Sequence, residues 1–283
     1  MMAKSDFVIQ AQEIPPAAVA ALARQAGARA VIPFGAGTPV AYRLFDVTED
    51  AALVEAARAL ACDAAFVPAG RLLERVRVVA MDMDSTLITI ECIDEIADMR
   101  GIKPEVAAIT ASAMRGEIDF AESLRRRVAL LAGLPASVLG EVYDERLRIS
   151  PGAARMLAGF KAVGATTALV SGGFTFFTNL LKARLGLDVA VANTLGIENG
   201  LLTGRVEGTI VDALGKAQTV RRLKREFADG DGLTVTIGDG ANDLPMFAEG
   251  DVAIAYRAKP VVRAQATHAL DHCGLDGALN LFR

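Results

Sequence analysis

The sequence predicts an α/β protein: a doubly wound, Rossmann-like parallel sheet carrying a small helical insert, preceded by a small α+β unit of ferredoxin-like (ACT-like) plan. Three observations carry this prediction. From Leu72 onward, short apolar runs alternate with helical patterns, which is the signature of βαβ units. Within that stretch, Val78-Val79-Ala80-Met81 is continuously apolar and then stops at Asp82 and Asp84, as a strand covered on both faces does at the carboxyl edge of a parallel sheet. Before Leu72 the elements read β-α-β-β-α-β.

In chain order, Phe7 to Gln12 reads as a strand, and Pro15-Pro16 opens an Ala-rich helix to about Gln25, since proline is tolerated in a first helical turn. Val31 to Phe34 and Val40 to Phe45 read as strands joined by a turn at Gly35-Ala36-Gly37. Asp50 can cap a helix running to about Leu60, and Cys62 to Val67 supplies the last strand. Residues 1–72 are therefore expected to form a separate unit. They show no chemistry and suit packing, homodimerisation or small-molecule regulation.

Residues 73–283 are expected to form the core. Val78 to Met81, Thr166 to Val170, Ala190 to Asn193, Thr234 to Ile237 and Val252 to Ala255 read as its strands. Helices fit between them at Ala153 to Val163, Phe174 to Leu185 and Lys216 to Phe227. The stretch from about 92 to 150 shows only helical periodicity, punctuated by Pro104, Gly116, Gly133 and Pro135. Its place directly after the two aspartates suits a lid.

Composition narrows the function classes. A chain of 283 residues, 52% hydrophobic and 23% charged, is globular and long enough for two domains. A net charge of −4 gives no reason to expect nucleic acid as partner, although local cations can still hold an anionic substrate. The three cysteines, Cys62, Cys92 and Cys273, are odd in number and far apart, which suits buried thiols in a reducing compartment. The first residues lack the apolar core of a secretion signal, and charges interrupt every apolar run before it could span a membrane. A cytoplasmic protein is expected.

The chemistry-bearing residues sit where strands end. Asp82 and Asp84 lie two apart, so strand periodicity would aim both the same way. Two unit charges about 4 Å apart at an effective dielectric of about 20 repel by about 4 kcal/mol. A hard cation such as Mg²⁺ would relieve this; a solvent-facing Asp turn is the alternative. A second acidic strand end, Ile237-Gly238-Asp239-Gly240-Ala241-Asn242-Asp243, adds Asp239 and Asp243 among glycines that permit a tight turn. Ser171-Gly172-Gly173 offers backbone N–H groups and a hydroxyl to an anion at the start of a helix, or else simply reverses the chain. Lys216 falls at a helix start, where a cation opposes the macrodipole; it faces an anion or is a solvated surface lysine.

Taken in order, Asp82-Met83-Asp84-Ser85-Thr86, Ser171-Gly172-Gly173, Lys216 and Gly238-Asp239-Gly240-Ala241-Asn242-Asp243 resemble the four motifs of the haloacid dehalogenase superfamily of phosphotransferases. The resemblance runs from about residue 75 to the C-terminus and includes the cap-like insert. Within the superfamily the chain is similar to the members that hydrolyse O-phospho-L-serine, the last step of serine biosynthesis. By that resemblance Mg²⁺ binds the Asp82 carboxylate, the Asp84 carbonyl and Asp239, with Asp243 supporting the site. Ser171, the Gly172 N–H and Lys216 would hold the phosphoryl group, and Asn242 would orient it. Glu91 and Arg127 would take the substrate's ammonium and carboxylate, and Met114 and Phe120 would cover it or belong to the insert's own core.

A phosphate monoester resists hydrolysis enough to need positioned charge and a nucleophile. Asp82 is expected to be that nucleophile and Asp84 the general acid, then base. Another small phosphomonoester as substrate, another acceptor, or an amino-acid-sensing regulator working through residues 1–72 are the rival readings. His268 and His272 have a metal-like spacing without a third ligand and are expected to be packing or surface residues.

Overall fold

The computed structural model describes residues 4–35 and 40–283. The chain begins with β1 (Lys4–Ala11), α1 (Pro16–Ala26), β2 (Val31–Phe34), β3 (Val40–Thr48), α2 (Ala51–Arg58) and β4 (Asp63–Val67). Pro16 stands in the first turn of α1, and the Asp50 side chain accepts from the Ala52 N–H at 2.9 Å to cap α2. The strands form an antiparallel sheet in the order β2-β3-β1-β4, the ferredoxin-like arrangement. The turn expected at Gly35-Ala36-Gly37 lies for the most part outside the described residues.

Strand β1 is central and buried on both faces. Phe7 and Ile9 point into a cluster with Val19 and Leu22 of α1 and Leu53 and Ala57 of α2. Asp6, Val8 and Gln10 face the other way, as the two-residue period requires. There Asp6 accepts from Arg43 Nη1 at 3.1 Å and from Arg283 Nε and Nη2 at 2.6 and 2.7 Å. Gln10 donates to the Gly277 carbonyl at 3.1 Å and accepts from Asn280 Nδ2 at 2.7 Å. The second sheet face is thus covered by the 3₁₀ turn Leu275–Leu281 and the residues after it.

The larger part follows as β5 (Val76–Met81), the helical segment α3 (Cys92–Asp98), α4 (Lys103–Met114), α5 (Phe120–Ala129) and α6 (Ser137–Glu141), then α7 (Ala153–Ala162), β6 (Thr166–Phe174), α8 (Thr175–Leu185), β7 (Val189–Glu198) and β8 (Leu201–Glu207). It closes with α9 (Ala213–Phe227), β9 (Leu233–Gly238), α10 (Leu244–Phe247), β10 (Val252–Tyr256), α11 (Pro260–Arg263) and β11 (His268–Leu270). These strands make a seven-stranded sheet, β11-β10-β9-β5-β6-β7-β8, in which only β8 runs antiparallel. Val79 and Met81 of β5 pack with α7 and α8 residues such as Phe160 and Phe177, whereas Val78 and Ala80 pack with Val220 and Leu223 of α9. Helices on both faces make the sheet doubly wound, as the alternation predicts.

Four elements differ from expectation. Strand β6 continues through Phe174, which pairs with Asn193 across an irregularity after Val170, so Ser171-Gly172-Gly173 forms a bulge inside a strand and not the first turn of a helix. Helix α9 begins three residues before Lys216 because Asp212 caps it, accepting from the Gly215 N–H at 2.8 Å. The β7–β8 hairpin and the short β11 are additional. Asn199 (φ 51°) and Gly200 (φ 77°) form its two-residue turn, with Glu198 opposite Leu201.

Register explains why the motifs meet. Met81 of β5 lies opposite Ile237 of β9 on one side and Leu169 of β6 on the other. The residues that follow, Asp82, Gly238-Asp239 and Val170-Ser171, therefore lie side by side at one end of the sheet.

Candidate active site

Asp82 is the first residue beyond β5, its N–H still bonded to the Ile237 carbonyl at 3.0 Å. Because the strand stops at Met81, strand periodicity does not govern the pair, and Asp84 enters the site from a wide turn over Met83–Leu87. In that turn Ser85 takes a left-handed conformation (φ 55°), which costs a non-glycine residue about 1–2 kcal/mol. Ser85 Oγ donates to Glu91 Oε1 at 2.6 Å, and Thr86 Oγ1 donates to Asp239 Oδ1 at 2.7 Å. Each hydroxyl fixes one carboxylate of the cluster. They lie inside the motif read from the sequence, yet their partners are visible only in space.

The charged floor of the site is Lys216, fully buried, with Nζ 2.8 Å from both Asp82 Oδ1 and Asp243 Oδ1. Burial alone would lower the pKa of this ammonium, but the Asp82 and Asp243 carboxylates outweigh it and hold it above the ordinary lysine value. Asp243 is raised by burial and then by the Asp82 charge, although Lys216 opposes the rise. Its Oδ2 accepts from the Asp239 and Gly240 N–H groups at 3.2 and 3.0 Å, so the glycine-rich turn wraps around this carboxylate. Asp239 is pushed up to about 6, by burial first and then by Asp82 and Glu91. Asn242 is exposed, its Nδ2 3.5 Å from Asp82 Oδ2 and 3.4 Å from Asp243 Oδ1.

Asp84 is raised well above the carboxylate range by burial, then by the charges of Glu91 and Asp82. Its Oδ1 accepts from the Cys92 N–H, at the start of α3, at 3.3 Å. Ser171 is buried; its Oγ accepts from the Gly173 N–H at 2.9 Å and keeps its own proton free to donate. Asn193, which the sequence did not single out, holds this bulge: Nδ2 donates to the Gly172 carbonyl at 2.8 Å, and Oδ1 accepts from the Val211 N–H at 2.7 Å. One buried amide thus links the bulge to the segment leading into α9. No local sequence signal marks it.

A cavity of about 390 Å³ joins these groups to the helical segment. Its floor includes Asp82, Asp84 and Ser171, its walls Glu91 and Arg127, and its roof Met114 and Phe120. Arg127 is half-buried; burial lowers its pKa, against the nearby carboxylates of Asp94 and Glu91. The only hydrogen bond shown for its guanidinium among the described residues is to the Ser123 carbonyl, at 3.4 Å. Glu91 is raised by burial, against its bond from Ser85 and with the charge of Asp82. Met114 is 70% exposed and so edges the cavity instead of filling the core of the insert. Phe120 packs on the core and lies over Gly172, where its Cζ would be 3.0 Å from an added Cβ.

The carboxylates of Asp82, Asp239 and Asp243 present oxygens within 4.8 Å of one another. Hard oxygen donors suit a divalent cation, and Asp239 and Asp243 are raised by burial first and then by the Asp82 charge. Asp84 lies outside this carboxylate group; a part for it would have to come from its backbone carbonyl. Lys216 and Asp243 lie beneath the cavity and do not line it. His268 is buried in β11, and His272 stands near Asp63, both remote from the site.

Comparisons with known proteins converge on the same region. The family model of haloacid dehalogenase-like hydrolases matches residues 79–248. A phosphoserine phosphatase of Polaromonas sp. is 49% identical over 212 residues, covering 73% of this chain and 90% of the relative. The crystal structure of a probable phosphoserine phosphatase from Vibrio cholerae superposes with a TM-score of 0.85 at 36% identity, over 98% of this chain and 86% of that one. A haloacid dehalogenase family hydrolase from Salmonella enterica serovar Typhi gives a TM-score of 0.88 at 33% identity, over 99% and 98% of the two chains.

Proposed function

The chain belongs to the haloacid dehalogenase-like hydrolases, and from that premise we propose that it hydrolyses O-phospho-L-serine to L-serine and phosphate, with Asp82 as nucleophile and Mg²⁺ as its metal. One observation carries the choice of substrate. Glu91 and Arg127, of opposite charge, line the same cavity as Asp82, so a molecule with an ammonium, a carboxylate and a phosphoryl group finds a counterpart for each. The similarity to proteins named phosphoserine phosphatase supports the same reading.

In the first step an Asp82 carboxylate oxygen attacks phosphorus while the bond from phosphorus to the seryl oxygen breaks. Asp84 gives its proton to that leaving oxygen, a role that needs the carboxyl protonated at the outset, as its raised pKa favours. In the second step Asp84, now ionised, takes a proton from water, and the water oxygen displaces Asp82 from phosphorus. Lys216 stays charged throughout, since two carboxylates hold its proton, and it balances negative charge next to Asp82. Ser171 Oγ and the Gly172 N–H donate to the phosphoryl oxygens, and Asn242 helps to orient that group. Asp82, Asp239, Asp243 and the Asp84 carbonyl would hold Mg²⁺, which when bound supplies positive charge against the repulsion between carboxylates and phosphate. The helices of 92–150 act as the lid that excludes water.

The test is phosphate release from O-phospho-L-serine with Mg²⁺ against a panel of small monoesters. Preferential turnover of phosphoserine is expected, abolished by a chelator and restored by Mg²⁺. Equal rates across the panel would remove the substrate assignment, and unchanged rates with chelator would remove the metal.

A further inference from the structure

Away from this site, a second cavity lies where the two sheets meet. Strand β4, an edge of the antiparallel sheet, packs beside β11, an edge of the parallel sheet. Between them opens a space of about 440 Å³ bordered by Glu49, Arg58 and Phe66 of the N-terminal part, Arg71 of the connection, and Arg263 and His268 of the core. Three guanidinium groups face it against one carboxylate, in a chain whose net charge is −4.

The three arginines are not equivalent. Arg263 pairs with Asp271 at 2.5 Å, and Arg58 pairs with Glu55 one helical turn away. Glu49 accepts from Ser5 Oγ at 2.7 Å. Arg71 has no carboxylate within ion-pair distance among the described residues. Its one side-chain partner there is His268, to whose Nε2 it donates through Nη1. Accepting that bond requires a neutral ring with its proton on Nδ1. The ring does stay neutral, because burial first and the Arg71 charge second hold its pKa down at about 3. Nor is Arg71 a loose surface side chain. Its N–H donates to the Pro68 carbonyl at 3.0 Å, and its carbonyl accepts from the Arg283 N–H at 2.8 Å, so both ends of the residue are anchored.

A half-buried guanidinium on an anchored stretch of backbone, with no carboxylate partner among the described residues, has donors left over towards this cavity. We propose that this seam cavity is a second ligand site, which takes a small doubly charged oxyanion such as inorganic phosphate, with Arg71 as its principal donor. The planar fork of Arg71 suits two oxygens of such an ion, and Arg58 and Arg263, each already paired with a carboxylate, border it with further N–H donors. A bound oxyanion would touch both sheets and so tie the N-terminal part to the core.

The experiment follows the arginine Nε–Hε resonances of the full chain by NMR during titration with inorganic phosphate, and separately with malonate, at constant ionic strength. The Arg71 signal is assigned by its loss in Arg71→Gln and in Arg71→Lys. A saturable shift of the Arg71 signal in the millimolar range is expected, together with a rise in melting temperature that is smaller in Arg71→Gln than in the wild type. Turnover by Arg71→Gln should stay within twofold of the wild type. Saturation by malonate alone would assign the site to carboxylates. A shift that grows linearly with either anion, as for the exposed Arg29, would overturn the proposal. So would a melting-temperature rise equal in wild type and Arg71→Gln.

Discussion

Lys216 and Asp243 form a fully buried ion pair of 2.8 Å beneath the cavity, and the same ammonium reaches Asp82 at the same distance. The two ends of this arrangement respond differently to mutation. Asp82→Asn removes one of two carboxylates and leaves Lys216 paired with Asp243, so the fold should survive while turnover falls by roughly 10⁴ or more. Lys216→Met strands two buried carboxylates and should destabilise the protein by about 3–5 kcal/mol. Denaturant unfolding of both variants, with phosphate-release assays on the first, checks the contrast. Near wild-type turnover by Asp82→Asn would exclude it as nucleophile.

Arg127 lines the cavity, and among the described residues its guanidinium bonds only to the Ser123 carbonyl at 3.4 Å, which leaves donors for a substrate carboxylate. Losing charge-assisted hydrogen bonds worth about 1.5–3 kcal/mol should lower kcat/KM for phosphoserine by about tenfold to a hundredfold in Arg127→Ala. Hydrolysis of an aryl phosphate, which lacks the carboxylate, should change little. Equal losses on both substrates would show that Arg127 does not read the amino acid.

Gly238 ends β9 where the chain passes closest to the buried carboxylate: an added Cβ would sit 2.3 Å from Asp243 Oδ2. Gly238→Ala must therefore push Asp243 away from Lys216 and from the N–H groups of Asp239 and Gly240. A stability loss of about 1–3 kcal/mol is expected, with a larger loss of activity than that alone would cause. Melting curves and kcat measured well below the midpoint separate the two effects.

His268 supplies a pH dependence with a definite sign. Its folded pKa, about 3, lies below the ordinary 6.5 because the ring is buried beside Arg71. Between those values the unfolded chain binds more protons at this position than the folded one, so this contribution is present above pH 6.5 and is lost as the pH falls towards 3. The slope approaches about 1.4 kcal/mol per pH unit. Unfolding free energies measured from pH 7 to 4 should fall more steeply for the wild type than for His268→Gln. Parallel curves would show that the ring is not held neutral.

The site was legible where strand ends carry its chemistry. Asp82, Asp239 and Asp243 interrupt apolar runs, and the parallel register that joins Met81 to Ile237 turns two distant interruptions into one cluster. The roles proposed for Glu91 and Arg127 rest on resemblance, because a helical arginine run has no local mark of a pocket. The burial of Lys216 was invisible for a related reason: a cation near a helix start looks solvated until its two carboxylates are in place. Asn193 acts wholly through contacts made after folding. The β7–β8 hairpin is a different matter, since Asn199-Gly200 is a strong two-residue turn signal that the βαβ rhythm obscured. The bulge at Ser171 resembles a helix start in the sequence because glycines announce a turn without saying which element they interrupt.

The bonds from Asp6 and Gln10 to the last described residues bear on how the chain is made. Gln10 waits 267 residues for Gly277, and Asp6 waits 277 for Arg283. During synthesis the Phe7 side of the first sheet can close over helices α1 and α2, but the Val8 side has nothing native to rest on, and its buried polar groups stay wet. Only when the Leu275–Leu281 turn emerges does that side become dry. Strand β1 thus leaves the ribosome long before its own contacts are finished, and a ribosome stalled short of residue 277 would hold a chain whose Asp82, Lys216 and Asp239 segments are complete while its first sheet still exposes an apolar face.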